Sequence, residues 1–194
     1  MNHSTHDAAE TLDLRPNPAI LVGAGGALAL VSAAFLPWPF AIASTVLGAL
    51  MIAGADVDAR TFLLPDTVTV GATIMGIIAA PLLDPIEPWL AGVDATARAF
   101  GCAAVLALVR TSYAQIRQRE GLGFGDVKLA AAVGAWLPLD FIPLCFALAT
   151  SAALLSIMIA HWRGHTIERA TRLPFGAFLC PSLWVMFYAS ALSN

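Results

Sequence analysis

The stretch FIPLCFALATSAALLSIMIA, residues 141–160, is a run of 20 residues without one charged side chain. About 20 predominantly apolar residues in a helix are enough to cross the hydrocarbon core of a bilayer. The run shows no alternation of polar and apolar positions, so neither a half-buried strand nor an amphipathic surface helix explains it. This stretch therefore predicts a membrane-spanning helix.

Apolar runs of the same kind recur along the whole chain. Of its 194 residues, 59% are hydrophobic and 12% are charged, whereas soluble domains carry about 25% charged residues. We predict seven spans, at residues 18–36, 40–57, 67–83, 95–113, 126–139, 141–161 and 174–192. The expected fold is an all-α, polytopic membrane protein, with a polar tail at residues 1–17 and a single membrane-embedded domain at residues 18–194.

The basic residues predict how the chain is oriented in the membrane. Cytoplasmic loops of membrane proteins carry an excess of Lys and Arg. If the N-terminus is cytoplasmic, the loops on that side are residues 58–66, 110–127 and 162–173. Nine of the ten Lys and Arg residues lie in these loops, beside them or in the tail, and only Arg98 lies near the opposite face. We therefore predict a cytoplasmic N-terminus.

Composition argues against several classes of function. The net charge of −3 does not favour nucleic acid as a partner. The cysteines, Cys102, Cys145 and Cys180, are scattered through apolar runs, and the sequence contains no CxxC pair and no HExxH pattern. We therefore expect no disulfide framework, no metal site and no cofactor.

Two acidic stretches are predicted to lie on the same side of the membrane. GADVDARTFLLPD, residues 54–66, ends the second predicted span, and GLGFGDVKL, residues 121–129, begins the fifth. An ionisable group at membrane depth is by default a functional hypothesis. Two carboxylates close together outside bulk water share a proton, so one can activate a water while the other donates a proton to the substrate. Asp58 and Asp126 are therefore candidate catalytic residues of aspartic-protease type.

The residues around Asp126 allow more than one interpretation. Gly123 and Gly125 are predicted to let the backbone turn sharply and to let a peptide approach closely. Lys128 either orients the Asp126 carboxylate or reaches toward the membrane interface. Simple helix capping is the alternative role for either aspartate, and Asp58 has Arg60 as an alternative partner. A nucleotide-binding loop is disfavoured because the GK[ST] ending is missing.

Three stretches together resemble one family of membrane enzymes. GFGD resembles the GxGD signature of membrane-embedded aspartic peptidases, and GLGFGDVKL is similar to the form found in type IV prepilin peptidases. DARTFLLPD, residues 58–66, resembles the other signature of that family, with matching residues at Asp58, Arg60, Leu64, Pro65 and Asp66. LPFGAFL, residues 173–179, resembles a third element of that family, with Ala177 where proline is common. The resemblance implies that Asp58 and Asp126 are catalytic and that the supporting residues are Gly123, Gly125, Lys128, Arg60, Pro65 and Asp66. Asp56 competes with Asp58, but the spacing to LLPD favours Asp58.

The resemblance also implies a function and a location. The expected protein is an aspartic endopeptidase that removes leader peptides from prepilins or pseudopilins at the cytoplasmic face of a bacterial inner membrane, without metal or cofactor. Larger members carry a cytoplasmic domain with two CxxC pairs that is linked to N-methylation. Because no CxxC pair is present here, we expect no methylation, as in the short Tad/Flp-type form.

Two other functions remain open at this point. A small proton-coupled transporter would also use intramembrane carboxylates, but broken helices at the bilayer midplane are typical of transporters. A non-catalytic assembly protein of a pilus or secretion system would need neither aspartate.

Overall fold

The computed structural model describes residues 14–117, 123–163 and 174–193. These ranges contain seven α-helices and no strand: α1 (Pro18–Phe35), α2 (Trp38–Thr61), α3 (Asp66–Leu83), α4 (Pro88–Arg117), α5 (Phe124–Trp136), α6 (Phe141–Trp162) and α7 (Gly176–Ser193). Six of the seven are long and apolar enough to cross a membrane, and α5, with 13 residues, is the exception. The predicted all-α, multi-pass membrane fold is confirmed. Most of the predicted tail and parts of two predicted loops, at residues 118–122 and 164–173, lie outside the described residues.

Two helix boundaries differ from the prediction in ways that matter for function. Helix α2 continues four residues past the predicted end at 57, which places Asp58 in its last turns rather than in a loop. Helix α4 begins at Pro88 and not at residue 95, because proline is favoured at the first position of a helix. Hydropathy missed this first part of α4, since Gly92 and Asp94 make it less apolar than the rest.

Helices α2 and α5 form the centre of the bundle. Helix α2 packs against α1, α3 and α7, while α5 packs against α3 and α4 and more lightly against α6 and α7. Leu47 and Met51 of α2, Leu129 and Val133 of α5, and Leu183 of α7 are buried together in one core. Nine of the 13 residues of α5 are buried. Because other helices surround it, α5 does not have to match the thickness of the bilayer.

Glycines allow the close helix contacts around α5. A Cβ atom at Gly134 would overlap the backbone carbonyl of Arg98 in α4, and one at Gly76 of α3 would lie 2.8 Å from the Cβ of Ala135. Small residues at such crossings let helix backbones approach closely inside a membrane. The Trp136 indole N–H also donates to the Ala72 carbonyl at 2.7 Å, so this polar group is satisfied within the bundle.

The ends of several helices meet at one end of the bundle. Arg60, near the end of α2, donates to the carbonyl of Arg15, just before α1, at 2.8 Å. Lys128 in the first turns of α5 donates to Asp66, the first residue of α3, at 2.6 Å. We call this the inner end, after the predicted topology. It contains Asp58 and Asp126 of the two acidic stretches, as the predicted order of spans requires.

Candidate active site

Asp58 is held by the first residues of a different helix. Its side chain lies in the last turns of α2 and is 5% exposed. Its Oδ2 atom accepts a hydrogen bond of 2.8 Å from the backbone N–H of Ala177, and Gly176 lies beside the same carboxylate. Gly176 and Ala177 begin α7, where amide groups have no partner within their own helix. Asp58 therefore caps α7, and the positive end of the helix dipole favours the negative charge there.

Asp126 is held at the start of its own helix. It is the third residue of α5 and is 8% exposed. Its Oδ2 atom accepts a hydrogen bond of 3.2 Å from the backbone N–H of Gly123, which precedes the helix. Like Asp58, it is a buried carboxylate at a helix N-terminus, a position that suits an anion. Both aspartates are therefore helix caps, and capping does not exclude a catalytic role.

The structure brings the two aspartates into one site. The two carboxylates are close enough for the charge of Asp58 to act on Asp126. Leu64 lies close to residues beside each aspartate. A Cβ atom added at Gly125, the neighbour of Asp126, would lie 3.0 Å from Leu64 Cβ. A Cβ atom added at Gly176 would lie 2.7 Å from Leu64 Cδ1. The Leu64 side chain thus lies next to both Gly125, the neighbour of Asp126, and Gly176, which lies beside Asp58. Asp58 and Asp126, which come from two distant stretches of the sequence, are therefore neighbours in the folded protein.

The glycines act by close contact and not by turning the chain. Gly123 has φ −68° and ψ 149°, an extended conformation open to any residue, and Gly125 lies inside α5. The sharp glycine turn expected from the sequence is therefore wrong. Phe62 is the one residue other than glycine with a positive φ, 56°, in the part of the chain that the structure describes. Gly125 instead leaves room for Leu64.

Arg60 pairs with Asp56 and not with Asp58. Its guanidinium donates to Asp56 Oδ2 at 2.7 Å, and the same oxygen accepts the backbone N–H of Asn17 at 2.8 Å. The alternative that Asp58 is a partner of Arg60 is therefore wrong. Asp56 and Arg60 together fasten the start of α1 to the end of α2, which gives Asp56 a structural explanation.

Lys128, Pro65 and Asp66 connect α5 to α3. The Lys128 ammonium forms an ion pair of 2.6 Å with Asp66, whose side chain is 71% exposed, and lies 5.0 Å from the centre of the Phe124 ring. Pro65 immediately precedes α3 and directs the chain from Leu64 into that helix. Lys128 thus pairs with Asp66, a contact that neither interpretation of this lysine predicted. An ion pair this exposed contributes little to stability, about 0 to 1 kcal/mol.

The sequence did not predict three contributors to the site, namely Leu64, Gly176 and the Ala177 amide. The resemblance to family elements contained a signal for all three, Leu64 in DARTFLLPD and the other two in LPFGAFL, but it gave them no role. A metal site is a separate question. Within the described ranges, no group of three or more His, Cys, Asp and Glu side chains is arranged to hold a metal ion.

Known proteins resemble this chain across the same region. The model of the type IV leader peptidase family matches residues 45–159, which include both aspartates. The prepilin leader peptidase/N-methyltransferase of Xanthomonas campestris is 33% identical over 146 residues, 74% of this chain and 48% of the relative. That of Burkholderia pseudomallei strain 1026b is 32% identical over 167 residues, 84% of this chain and 51% of the relative.

A shorter relative is covered over most of its length. Leader peptidase HopD of Escherichia coli is 31% identical over 141 residues, 71% of this chain and 86% of the relative. The chain thus spans about half the length of the two N-methyltransferase relatives but most of HopD. No solved structure matches it. On the family match, which covers more than half of its residues, the chain belongs to the type IV leader peptidase family.

Proposed function

We propose that this protein is an aspartic endopeptidase that removes leader peptides from prepilins or pseudopilins at the cytoplasmic face of a bacterial inner membrane. The observation that carries the proposal is the pair of buried carboxylates, Asp58 and Asp126, from two helices at one end of a membrane bundle. Membership of the family and the names of the relatives support leader removal as the reaction.

The geometry suits hydrolysis by a pair of acids. Two neighbouring carboxylates share one proton. The ionised member takes a proton from a water, which attacks the carbonyl carbon of the scissile peptide bond, and the protonated member donates to the substrate. The tetrahedral intermediate then collapses, and the new amine takes up the proton. Burial strengthens these interactions, because charges attract and repel more strongly away from bulk water.

The position of the acids fits a substrate that is itself a membrane protein. Both lie at the inner end of the bundle and not at its midplane. An apolar substrate helix in the bilayer would therefore present the bond just outside that helix to the two carboxylates. The transporter alternative gains no support, because the acids lie at one end and α2 and α5 are each continuous through them. Nothing in the family match supports a non-catalytic assembly protein.

Co-expression with a substrate tests the proposal. A prepilin from the same genome, tagged at its C-terminus, is expressed with and without this protein, and leader loss is followed on a gel and by sequencing the new N-terminus. We expect a shorter product only when the protein is present. An uncleaved prepilin, with both proteins found in the membrane, would contradict the proposed function.

Removal of metal should leave the reaction intact. Because the proposed chemistry needs only two carboxylates and a water, EDTA and phenanthroline should change the rate of prepilin cleavage by less than about twofold, compared with the about 10²–10⁴-fold that an acid or base contributes. The initial rate in detergent, with and without chelator, is the measurement. A loss that added Zn²⁺ restores would identify a metal enzyme instead.

The cleaved product should carry an unmodified amino terminus. Two of the relatives are named as N-methyltransferases, but this sequence lacks the CxxC pairs linked to that activity. We expect mass spectrometry of pilin cleaved in the presence of S-adenosylmethionine to show no added methyl group. A gain of one methyl group that depends on this protein would overturn the expectation.

Replacing Ala177 with proline tests the link between α7 and Asp58. Proline has no N–H, so Ala177→Pro removes the 2.8 Å hydrogen bond to Asp58 Oδ2. A loss of one such bond corresponds to a rate about three- to tenfold lower. Ala177→Ser keeps the N–H and is the matched control, expected to cleave at the normal rate. Equal rates for the two variants would show that the Ala177 amide does not help to hold the carboxylate.

A further inference from the structure

A large apolar groove lies between α4 and α6. Its volume is about 1140 Å³, and the residues that line it include Ala97, Gly101 and Val105 of α4 and Ile142 and Phe146 of α6. Helix α4 packs on α3 and α5, whereas α6 packs mainly on α7. The short α5 lies between them, and the space outside it is left unfilled.

The groove is long enough to hold most of a membrane-spanning helix. On α4 its lining runs from Ala97 to Tyr113, which at 1.5 Å per residue is about 24 Å. The hydrocarbon core of a bilayer is about 30 Å thick. A helix lying in the groove would therefore be in contact with the protein over most of the membrane.

The inner end of the groove reaches residues that lie close to both acids. Phe175, which lines it, immediately precedes Gly176, which lies beside the Asp58 carboxylate. Arg110, which also lines it, lies 5.8 Å from the centre of the Phe124 ring, two residues before Asp126. A helix in the groove would thus end beside the two candidate catalytic residues.

The lining favours a helix over lipid tails. Ala97 and Gly101 are small, lie four residues apart and therefore share one face of α4. Small residues at this spacing let another helix approach closely within a bilayer. A Cβ atom added at Gly101 would meet nothing within 4 Å, so the space over this glycine is open.

We propose that the groove between α4 and α6 binds the apolar transmembrane helix of the prepilin substrate and directs its scissile bond to Asp58 and Asp126. This inference rests on the proposed peptidase function and adds the place where the substrate lies. The groove accounts for recognition of a helix whose side chains are apolar and varied, because close packing requires shape more than specific polar contacts.

Photocrosslinking tests the location directly and does not depend on turnover. A photoreactive amino acid replaces Val105, which is 63% exposed in the groove, or Leu30, which is 75% exposed on α1, in an Asp126→Asn background that keeps the substrate whole. With a tagged prepilin in the same membrane, we expect Val105 to give at least about five times more prepilin adduct than Leu30. Equal yields, or adducts at Val105 only with lipid or with a second copy of this chain, would overturn the inference.

Filling the groove provides an independent test. Gly101→Trp places a large side chain in open space within the groove. Gly26→Trp is the control: it places the same side chain on the exposed α1, where an added Cβ also meets nothing within 4 Å. We expect Gly101→Trp to raise KM for prepilin at least about tenfold, with Gly26→Trp within twofold of the unmodified protein. A normal KM for Gly101→Trp would contradict the inference that the groove binds the substrate helix. Failure of the unmodified protein to cleave would instead contradict the proposed function.

Discussion

Asp58→Asn and Asp126→Asn should each lower the rate of prepilin cleavage at least about a thousandfold, within the range that a lost acid or base costs. Asparagine keeps the shape of the side chain and an oxygen that can accept the amide hydrogen bonds of Ala177 or Gly123, but it cannot exchange a proton. The double variant should be no slower than either single variant, because residues that act as a unit are not additive. Initial rates with equal amounts of membrane-extracted protein are the measurement.

Asp56→Asn is the matched control for this experiment. It is the same chemical change two residues away on α2, and it affects a carboxylate that pairs with Arg60. We expect its rate to stay within about threefold of normal, since the pair is near the surface and contributes little. An inactive Asp56→Asn together with an active Asp58→Asn would reassign the first acid to Asp56.

Gly176→Val should reduce cleavage at least about a hundredfold, because misplacing a reacting group by about 1 Å costs this much. A Cβ atom at Gly176 would lie 2.9 Å from Asp58 Oδ2 and 2.7 Å from Leu64 Cδ1. Both contacts are too close, so either the carboxylate or the leucine has to move. Gly176→Ala should show a smaller loss of the same kind, measured as kcat with a purified prepilin.

Gly71→Val separates this effect from a general cost of valine in a membrane helix. Gly71 lies in α3, and an added Cβ there meets nothing within 4 Å. Its rate and its melting temperature in detergent should both be near normal. If Gly176→Val also cleaves at the normal rate, then the packing of α7 against Asp58 does not determine the position of the acid.

Sequence patterns predicted the parts of this structure that depend on local composition. Apolar runs located the helices, and the short fifth run, residues 126–139, was found as the 13-residue α5. The pairing of Asp56 with Arg60 was also predictable, because residues four apart on a helix are neighbours. The alternative that Arg60 pairs with Asp58, two residues away, ignored that spacing.

The contacts within the site were not predictable from these patterns. The amide that binds Asp58 lies 119 residues further along the chain, and no local periodicity encodes such a contact. The role of Gly125 was also hidden, since a glycine in a sequence signals either an unusual backbone angle or a close approach. Only the position of Leu64 shows that Gly125 serves a close approach and not an unusual backbone angle.

The distance in sequence between Asp58 and α7 has a consequence for biosynthesis. A nascent chain that has inserted α1 to α5 already contains both aspartates, but the amides of Gly176 and Ala177 have not yet been synthesised. Helix α5 would span only about 20 Å and needs its neighbours to be held in the bundle. A chain synthesised only as far as α5 therefore contains both aspartates but lacks the α7 amide that holds the Asp58 carboxylate in place.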